Sequence, residues 1–319
     1  MKAYFWKPGT GYQAVCVAVV VAGLVWLVLW LLYPPATPSE CGASLANLKD
    51  SLVRAIREEV ERKDANSHLP IIYVITPTYR RPEQMPELTR LAQTLMNVPR
   101  VHWLVAEDAQ TTNTRVTYYL LQTGLSHTYL LTPMPAEHRN KTVRPKGVAN
   151  RNGGLAWVRE QAREGVVYFA DDDNTYDIRL FEEMRHTRKV SMWPVGLISG
   201  SGVSSPILRN GRFVGWYDGW IGGRTFPVDM AGFAVGVEYL LERPDAQMPF
   251  TPGHEEDGFL RSLGVKPSEI EFKAAECTQI YVWHTQTKKN HPYSREILSP
   301  RFDKTNLRVL QKDIMLQPG

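Results

Sequence analysis

Residues 166–173 read VVYFADDD. A run of β-branched and aromatic residues passes straight into three aspartates. The apolar part does not alternate with polar residues, which is the pattern of a strand buried on both faces. Ile71 to Thr76 (IIYVIT) has the same character, and Val101 to Ala106 (VHWLVA) is a further strand ending in Glu107-Asp108. Thr128 to Leu131 adds a candidate strand. Between these segments, Leu88, Leu91, Ala92 and Leu95 mark an amphipathic helix, and Val148 to Arg163 reads as another. Alternation of strand and helix predicts an α/β fold, with a mostly parallel central sheet covered by helices on both faces. After Arg188 the regularity weakens. Glycine and tryptophan become dense between Gly196 and Gly236, which predicts loops that shape a site.

Ligands of open parallel sheets sit beyond the carboxyl ends of the strands. Three such ends carry polar residues suited to a nucleotide: Thr76-Pro77-Thr78-Tyr79, Glu107-Asp108 and Asp171-Asp172-Asp173. Three carboxylates at one buried edge are costly unless a cation neutralises them. Hard divalent ions take carboxylate oxygens and keep positions open for waters and a diphosphate. The competing reading is a solvated turn or an Asx cap, since Asn174 and Asp177 follow. Other α/β chemistries fail on their motifs. No G-x-G-x-x-G follows the first strand, and neither G-x-x-x-x-G-K-[ST] nor G-x-S-x-G occurs. His254-Glu255-Glu256-Asp257-Gly258 opens like a zincin helix, but Gly258 stands where the second histidine is needed.

Composition sets outer bounds. The 319 residues are 43% hydrophobic and 22% charged, with a net charge of +4, which excludes a largely disordered chain. The mean hydropathy of -0.29 excludes a polytopic membrane protein. So mild a positive charge argues against a nucleic-acid partner. Three cysteines and no Cys-x-x-Cys exclude a disulfide framework and a zinc ribbon. One stretch departs from the average. Residues 14–33 carry no charge and, at about 1.5 Å per residue, match the roughly 30 Å hydrocarbon core. A cleaved signal peptide is the alternative, but its apolar region is shorter and ends at small residues, whereas this run ends in Tyr33-Pro34-Pro35. Lys2 and Lys7 precede the run, so the positive-inside rule gives a type II orientation. The expected organisation is a cytosolic tail (1–13), a signal anchor (14–33), a stem (34–69) and a lumenal catalytic domain (70–319). That domain divides into a regular strand–helix part (70–188), whose strand ends suit a nucleotide, and a less regular part (189–319). In the stem, Leu45, Leu48, Leu52, Ile56 and Val60 give one apolar helical stripe, read either as packing on its own domain or as pairing of two chains. Cys41 just before it is a candidate interchain disulfide in a homodimer, and Cys277 reads as a buried free thiol.

Four stretches in this order, PTYRR (77–81), ADDDNTYD (170–177), FPVDMAGFAV (226–235) and VWHTQT (282–287), make the chain resemble the β-1,3-glucuronosyltransferases of animal Golgi membranes. The resemblance covers roughly Pro70 to Lys288. It implies a GT-A type fold, UDP-glucuronate as donor, Mn²⁺ as cofactor, inversion at the anomeric carbon, and a galactose-terminated glycan as acceptor. It also implies roles for particular residues. Tyr79 stacks on uracil, Pro77 and Thr78 shape the turn, and Asp108 accepts from the base. Lys146 and Arg151 face the diphosphate and the glucuronate carboxylate. Asp173 ligates the metal, while Asp171 and Asp172 hold sugar and ribose hydroxyls. His284, with Thr285 and Gln286, approaches the diphosphate or sugar. Trp220, Arg224 and Asp229 form the acceptor wall. Alignment through Phe259-Leu260-Arg261 puts the catalytic base on Glu256, with its neighbour Glu255 as the competitor.

Several positions depart from that family's pattern. Ser204 stands where an acceptor-binding glutamate is usual, Gln286 replaces an arginine that assists the phosphates, and Lys146 replaces an arginine. Glu276 removes a glycosylation sequon, leaving Asn140-Lys141-Thr142 as the candidate site. Two alternatives follow: the same fold using another donor such as UDP-xylose, or a membrane-anchored glycan-binding protein with weak turnover.

Overall fold

The computed structural model describes residues 68–139, 142–288 and 299–307, with residues 27, 49, 51–54, 66 and 310. The expected span at 14–33, the stem helix, Cys41 and Asn140 lie outside the described residues, isolated positions such as Leu27 and Leu52 apart. Among the described residues, no helix is long and apolar enough to cross a membrane.

The segments read as strands are strands, with slightly shifted ends. They are β1 (Ile72–Thr78), β2 (Val101–Glu107), β3 (Ser126–Leu131) and β4 (Val166–Phe169). Three short strands, β6 (Val190–Met192), β10 (Phe233–Gly236) and β11 (Ile270–Phe272), complete a seven-stranded sheet in the order β11-β6-β10-β4-β1-β2-β3. The sheet is mixed. β3, β2, β1 and β4 run parallel to one another and β11 parallels β6, while β10 opposes both β4 and β6.

Alternate side chains of the central strands feed two cores. Tyr73, Ile75, Val167 and Phe169 face one, where helix α3 (Val148–Gln161) contributes Val148, Leu155 and Val158. Ile72, Val74, Val166 and Tyr168 face the other, covered by Leu88, Leu91, Ala92 and Leu95 of helix α1 (Gln84–Leu95) and by Val116 and Leu120 of helix α2 (Thr114–Thr123). Burial on both faces explains why these strands read as unbroken apolar runs.

The region after Arg188 departs from the expectation of loops. Beside a long loop from Asp218 to Asp229, it holds β7 (Val195–Ile198), β8 (Gly202–Arg209) and β9 (Arg212–Tyr217). With β5 (Thr175–Tyr176) and β12 (Val282–Trp283) these form a second sheet in the order β5-β12-β7-β8-β9. Pro206 and several glycines conceal β8 in the sequence. Pro206 lies beyond the stretch of β8 that pairs with β7, so its missing N–H costs that ladder nothing.

Helix α4 (Glu255–Ser262) is set against the first core by Phe259, which is fully buried. Its ring meets Phe169 edge-on at 5.6 Å and Phe233 at 6.3 Å. Cys277 is a half-buried free thiol, and burial pushes its pKa up to about 12. Phe259→Ala is expected to lower the unfolding free energy by about 3–5 kcal/mol, as for other buried aromatic truncations. Ile207→Ala, at a side chain 40% exposed on the second sheet, should change it by less than about 0.5 kcal/mol. Urea unfolding of the two variants checks both.

Candidate active site

The carboxyl ends of β1, β2 and β4 open on a cleft of about 720 Å³. Asp171, Asp172 and Asp173 form the turn leaving β4, which is closed by Tyr176 donating its hydroxyl to the Asp171 carbonyl at 2.8 Å. Each aspartate has a different partner. Asp172 is buried and accepts from Thr78 Oγ1 at 2.8 Å and from Arg81 Nη2 at 2.6 Å. Asp171 is ion-paired with Arg151. Asp173 forms no ion pair among the described residues, and its carboxyl pKa is raised by burial and by Asp171, against the opposing pull of Arg81 and the Thr287 amide. Burial likewise raises Asp172, with Arg81 and Thr78 opposing.

The β1 end carries Pro77, Thr78 and an exposed Tyr79, whose ring lies under the Arg81 guanidinium at 4.7 Å. At the β2 end the two acidic neighbours part company, as strand alternation requires. Asp108 lines the cleft and accepts from the Met134 backbone N–H at 2.7 Å. Glu107 is fully buried away from it and accepts from Tyr129, from Gln84 at 3.0 Å and from Asn113 at 3.4 Å. Burial and the bond to Glu107 push the Tyr129 phenol up.

Lys146 and Arg151 flank the start of α3. Gly147 caps that helix with φ of 72°, a left-handed conformation open to glycine, and a Cβ there would come within 2.6 Å of Arg151 Nη1. Gly147 thus lets the guanidinium lie flat against the turn, where Nη1 also donates to the Lys146 carbonyl at 3.4 Å.

The far wall comes from the second sheet. The segment after β12 passes over the aspartate turn, with Thr285 Oγ1 donating to the Asp173 carbonyl at 2.6 Å. Thr287 is fastened to the buried Glu87 of α1. His284 Nδ1 donates to Asp229 Oδ2 at 2.6 Å, and this bond raises the imidazole pKa to about 9 against the effect of burial. His284 is therefore a cation at neutral pH. Gln286 Nε2 lies 3.3 Å from His284 Nε2.

Eleven of the twelve expected donor residues thus line one cleft, and Thr285 braces it from behind. The expected acceptor residues stand beside the cleft rather than in its lining. Asp229 joins the two groups, because it caps the turn at Met230 by accepting from the Ala231 N–H at 2.9 Å while it holds His284. Trp220 is 50% exposed, rests against Gly253 and meets His254 edge-on at 5.7 Å. Arg224 lies beneath it. Its guanidinium packs on the indole at 4.7 Å and pairs with Asp218 at 3.0 Å, so it supports Trp220 from within the loop. Ser204 is buried, and its hydroxyl has no hydrogen-bond partner among the described residues.

Glu256 lies in the first turn of α4. Crowding by protein pushes its pKa up to about 7, with Asp229 and Glu255 adding to the rise and Arg151 opposing it. Its carboxylate therefore sits within electrostatic reach of both Arg151 and Asp229.

Sequence reasoning missed several lining residues. Arg81, in the RR pair of PTYRR, neutralises Asp172, and Arg144 adds a cation next to Lys146. Asn150 is buried and donates to the Ala106 carbonyl at 2.8 Å, tying α3 to the β2 end. A second cation in each basic pair was the available signal for the arginines.

The profile of glycosyltransferase family 43 matches residues 91–288. This chain belongs to that family. It is 56% identical over 251 residues to galactosylgalactosylxylosylprotein 3-beta-glucuronosyltransferase P of Drosophila melanogaster, a match that covers 78% of this chain and 52% of the relative. With galactosylgalactosylxylosylprotein 3-beta-glucuronosyltransferase 3 of Homo sapiens it shares 42% identity over 300 residues, covering 85% and 89% of the two chains. The type 2 protein of Mus musculus is 43% identical over 264 residues, covering 78% and 80%. The chain spans about half the length of the Drosophila type P relative and 61% of the type S one.

The His284–Asp229 pair sets a pH dependence for family 43 in this chain. A histidine raised from 6.5 to about 9 stabilises the fold fully below about 6.5, and that contribution is lost as pH rises through about 9. Asp229→Asn is expected to bring the imidazole midpoint down towards 6.5. An NMR titration of the His284 ring protons in the two proteins reads the change.

Proposed function

We propose that this chain is an inverting β-1,3-glucuronosyltransferase with a GT-A type architecture. It moves glucuronic acid from UDP-glucuronate to the 3-hydroxyl of a terminal galactose. The observation that carries the reading is a cleft lined by Lys146, Arg151 and His284, with a carboxyl of pKa about 7 at Glu256 in electrostatic reach of Arg151 and Asp229, and an exposed indole at Trp220 in the same loop as Asp229.

The donor requirements follow from the charges. Tyr79 offers a ring face to uracil, and Asp108 accepts from its N–H. Lys146 and the cationic His284 meet the diphosphate, and Arg144 adds a further cation to the lining of the cleft, where Gln286 is neutral. Arg151 is fixed by Asp171 and turned towards the sugar, which suits a carboxylate-bearing donor.

The aspartate turn fits a hard divalent ion such as Mn²⁺. Two of its carboxylates are balanced by arginines, and the third, Asp173, carries uncompensated charge towards the cleft. Asp173 would hold the ion, which when bound offsets the negative charge of the departing diphosphate. Among the described residues no three His, Cys, Asp or Glu side chains group to hold a metal ion, so water and phosphate would have to supply most of its ligands.

In the transfer itself, the galactose 3-hydroxyl attacks the anomeric carbon from the face opposite UDP. The new C–O bond forms as the bond to the diphosphate breaks, and the hydroxyl proton passes to Glu256. A base with a pKa near 7 is partly ionised at neutral pH and still accepts a proton well. Trp220 stacks on the apolar face of galactose, Arg224 keeps it in place, and Asp229 orients a hydroxyl from beside His284. Glu256 is preferred over Glu255 because Arg151 interacts with it more strongly and because Asp229 acts on its carboxylate.

We place the enzyme in the Golgi membrane, anchored by the uncharged run 14–33 with the catalytic part in the lumen. Protease added to sealed microsomes should leave that part intact, and its digestion would reverse the orientation.

With Mn²⁺ and a galactoside, UDP release should be faster with UDP-glucuronate than with UDP-xylose or other UDP-sugars. Glu256→Gln should reduce transfer by about 10²–10⁴-fold and leave UDP binding intact. Transfer by the natural protein should fall as pH drops below about 7, because protonation removes the base. The absence of UDP release with every one of these donors would point instead to a glycan-binding protein.

A further inference from the structure

Asp257 follows Glu256 in the first turn of α4, and its carboxylate is buried, 2% exposed. An acid in a helix's first turn ordinarily faces water and interacts with the helix dipole. Asp257 is turned instead into a separate segment. Its Oδ1 accepts the backbone N–H groups of two consecutive residues, Thr225 and Phe226, at 2.8 Å each. Its Oδ2 lies 3.7 Å from Arg261 Nη1, one helical turn on, and that guanidinium is largely in solvent.

The two amides belong to the loop that carries the acceptor wall. The loop is held near its start by the Asp218–Arg224 pair under Trp220, and at its end by Asp229 capping the turn at Met230. Between these points Phe226 enters the core, 2% exposed, and meets Trp216 edge-on at 5.9 Å. Phe226 and Val228 fix the depth of the loop in the core, but apolar contact is non-directional and sets no hydrogen-bond register against α4. A charged acceptor receiving two adjacent N–H groups sets it, since both bonds hold only in one register.

We propose that Asp257 is a positioning residue that sets the distance between the acceptor wall and the base. Glu256 and Asp257 are adjacent on one helical turn, so one residue supplies the carboxylate for chemistry while the next ties the same turn to the loop bearing Trp220 and Asp229. The inference rests on the proposed glucuronosyl transfer and on Glu256 as its base. It adds a determinant of acceptor use that leaves the donor cleft untouched, because Asp257 has no part in that cleft's lining.

The test compares Asp257→Ala and Asp257→Asn with the natural protein, using the full-length chain in detergent with Mn²⁺. An amide oxygen still accepts both N–H groups, so the asparagine variant separates geometry from charge. Two titrations are read: UDP binding, and binding of a galactose-terminated disaccharide in the presence of UDP. In Asp257→Ala, disaccharide binding should weaken about 10- to 100-fold, the scale of orphaning a buried hydrogen-bonded group, while UDP affinity stays within about twofold. Asp257→Asn should restore disaccharide binding to within about threefold of the natural protein. Equal loss of UDP and disaccharide binding in Asp257→Ala would mean a general structural role and overturn the proposal. So would unchanged disaccharide binding, or an asparagine variant no better than alanine. A natural protein that binds no disaccharide overturns it together with the acceptor wall. A natural protein that binds both ligands but transfers no glucuronate counts against the proposed reaction and leaves the binding comparison intact.

Discussion

Negative charge at the end of β4 is the constraint around which the site is arranged. Three consecutive carboxylates leave a buried strand, and each needs a partner or a proton. Arg81 reaches Asp172 from the β1 end, and Arg151 reaches Asp171 from the first turns of α3. These two ion pairs fix the relation of three elements at the mouth of the parallel sheet. They also leave Asp173 as the carboxylate available to the cleft. A turn with a single aspartate would need neither arginine, and the cleft would lose both a wall and a donor-binding cation.

The proposed acceptor side is tied to this frame by residues that each make two kinds of contact. Asp229 caps a turn and holds His284 in its charged form. Arg224 supports Trp220 and closes its own loop through Asp218. Helix α4 is fixed to the core by Phe259 and to the loop bearing Trp220 by Asp257. Crowding at the meeting point raises Glu256, so packing that sets geometry also sets the acidity suited to proton removal.

The parallel half of the molecule was legible in the sequence because strands buried on both faces leave unbroken apolar runs. IIYVIT, VHWLVA and VVYFA all became strands, and the polar residues after them became the cleft, with Glu107 as the exception. The second sheet was hidden. Its strands are half-exposed and interrupted by Gly202, Pro206 and Gly215, and β12 pairs with β5 and β7 across long sequence separations. No local pattern encodes such pairings. The same holds for the site. The aspartates and the basic cluster before α3 announce themselves as runs of like charge. Arg81, Asp257 and Glu87 look like ordinary surface charges until the fold brings them against Asp172, the Thr225–Phe226 amides and Thr287.

The structure of the reaction product tests the account most directly. The full-length chain would be incubated with Mn²⁺, UDP-glucuronate and a galactose-terminated disaccharide, and the trisaccharide analysed by NMR. Attack from the face opposite UDP, with Glu256 taking the proton, predicts a single β-linked glucuronate on the 3-hydroxyl of galactose. An α linkage, or transfer to another hydroxyl, would contradict the placement of the base relative to donor and acceptor.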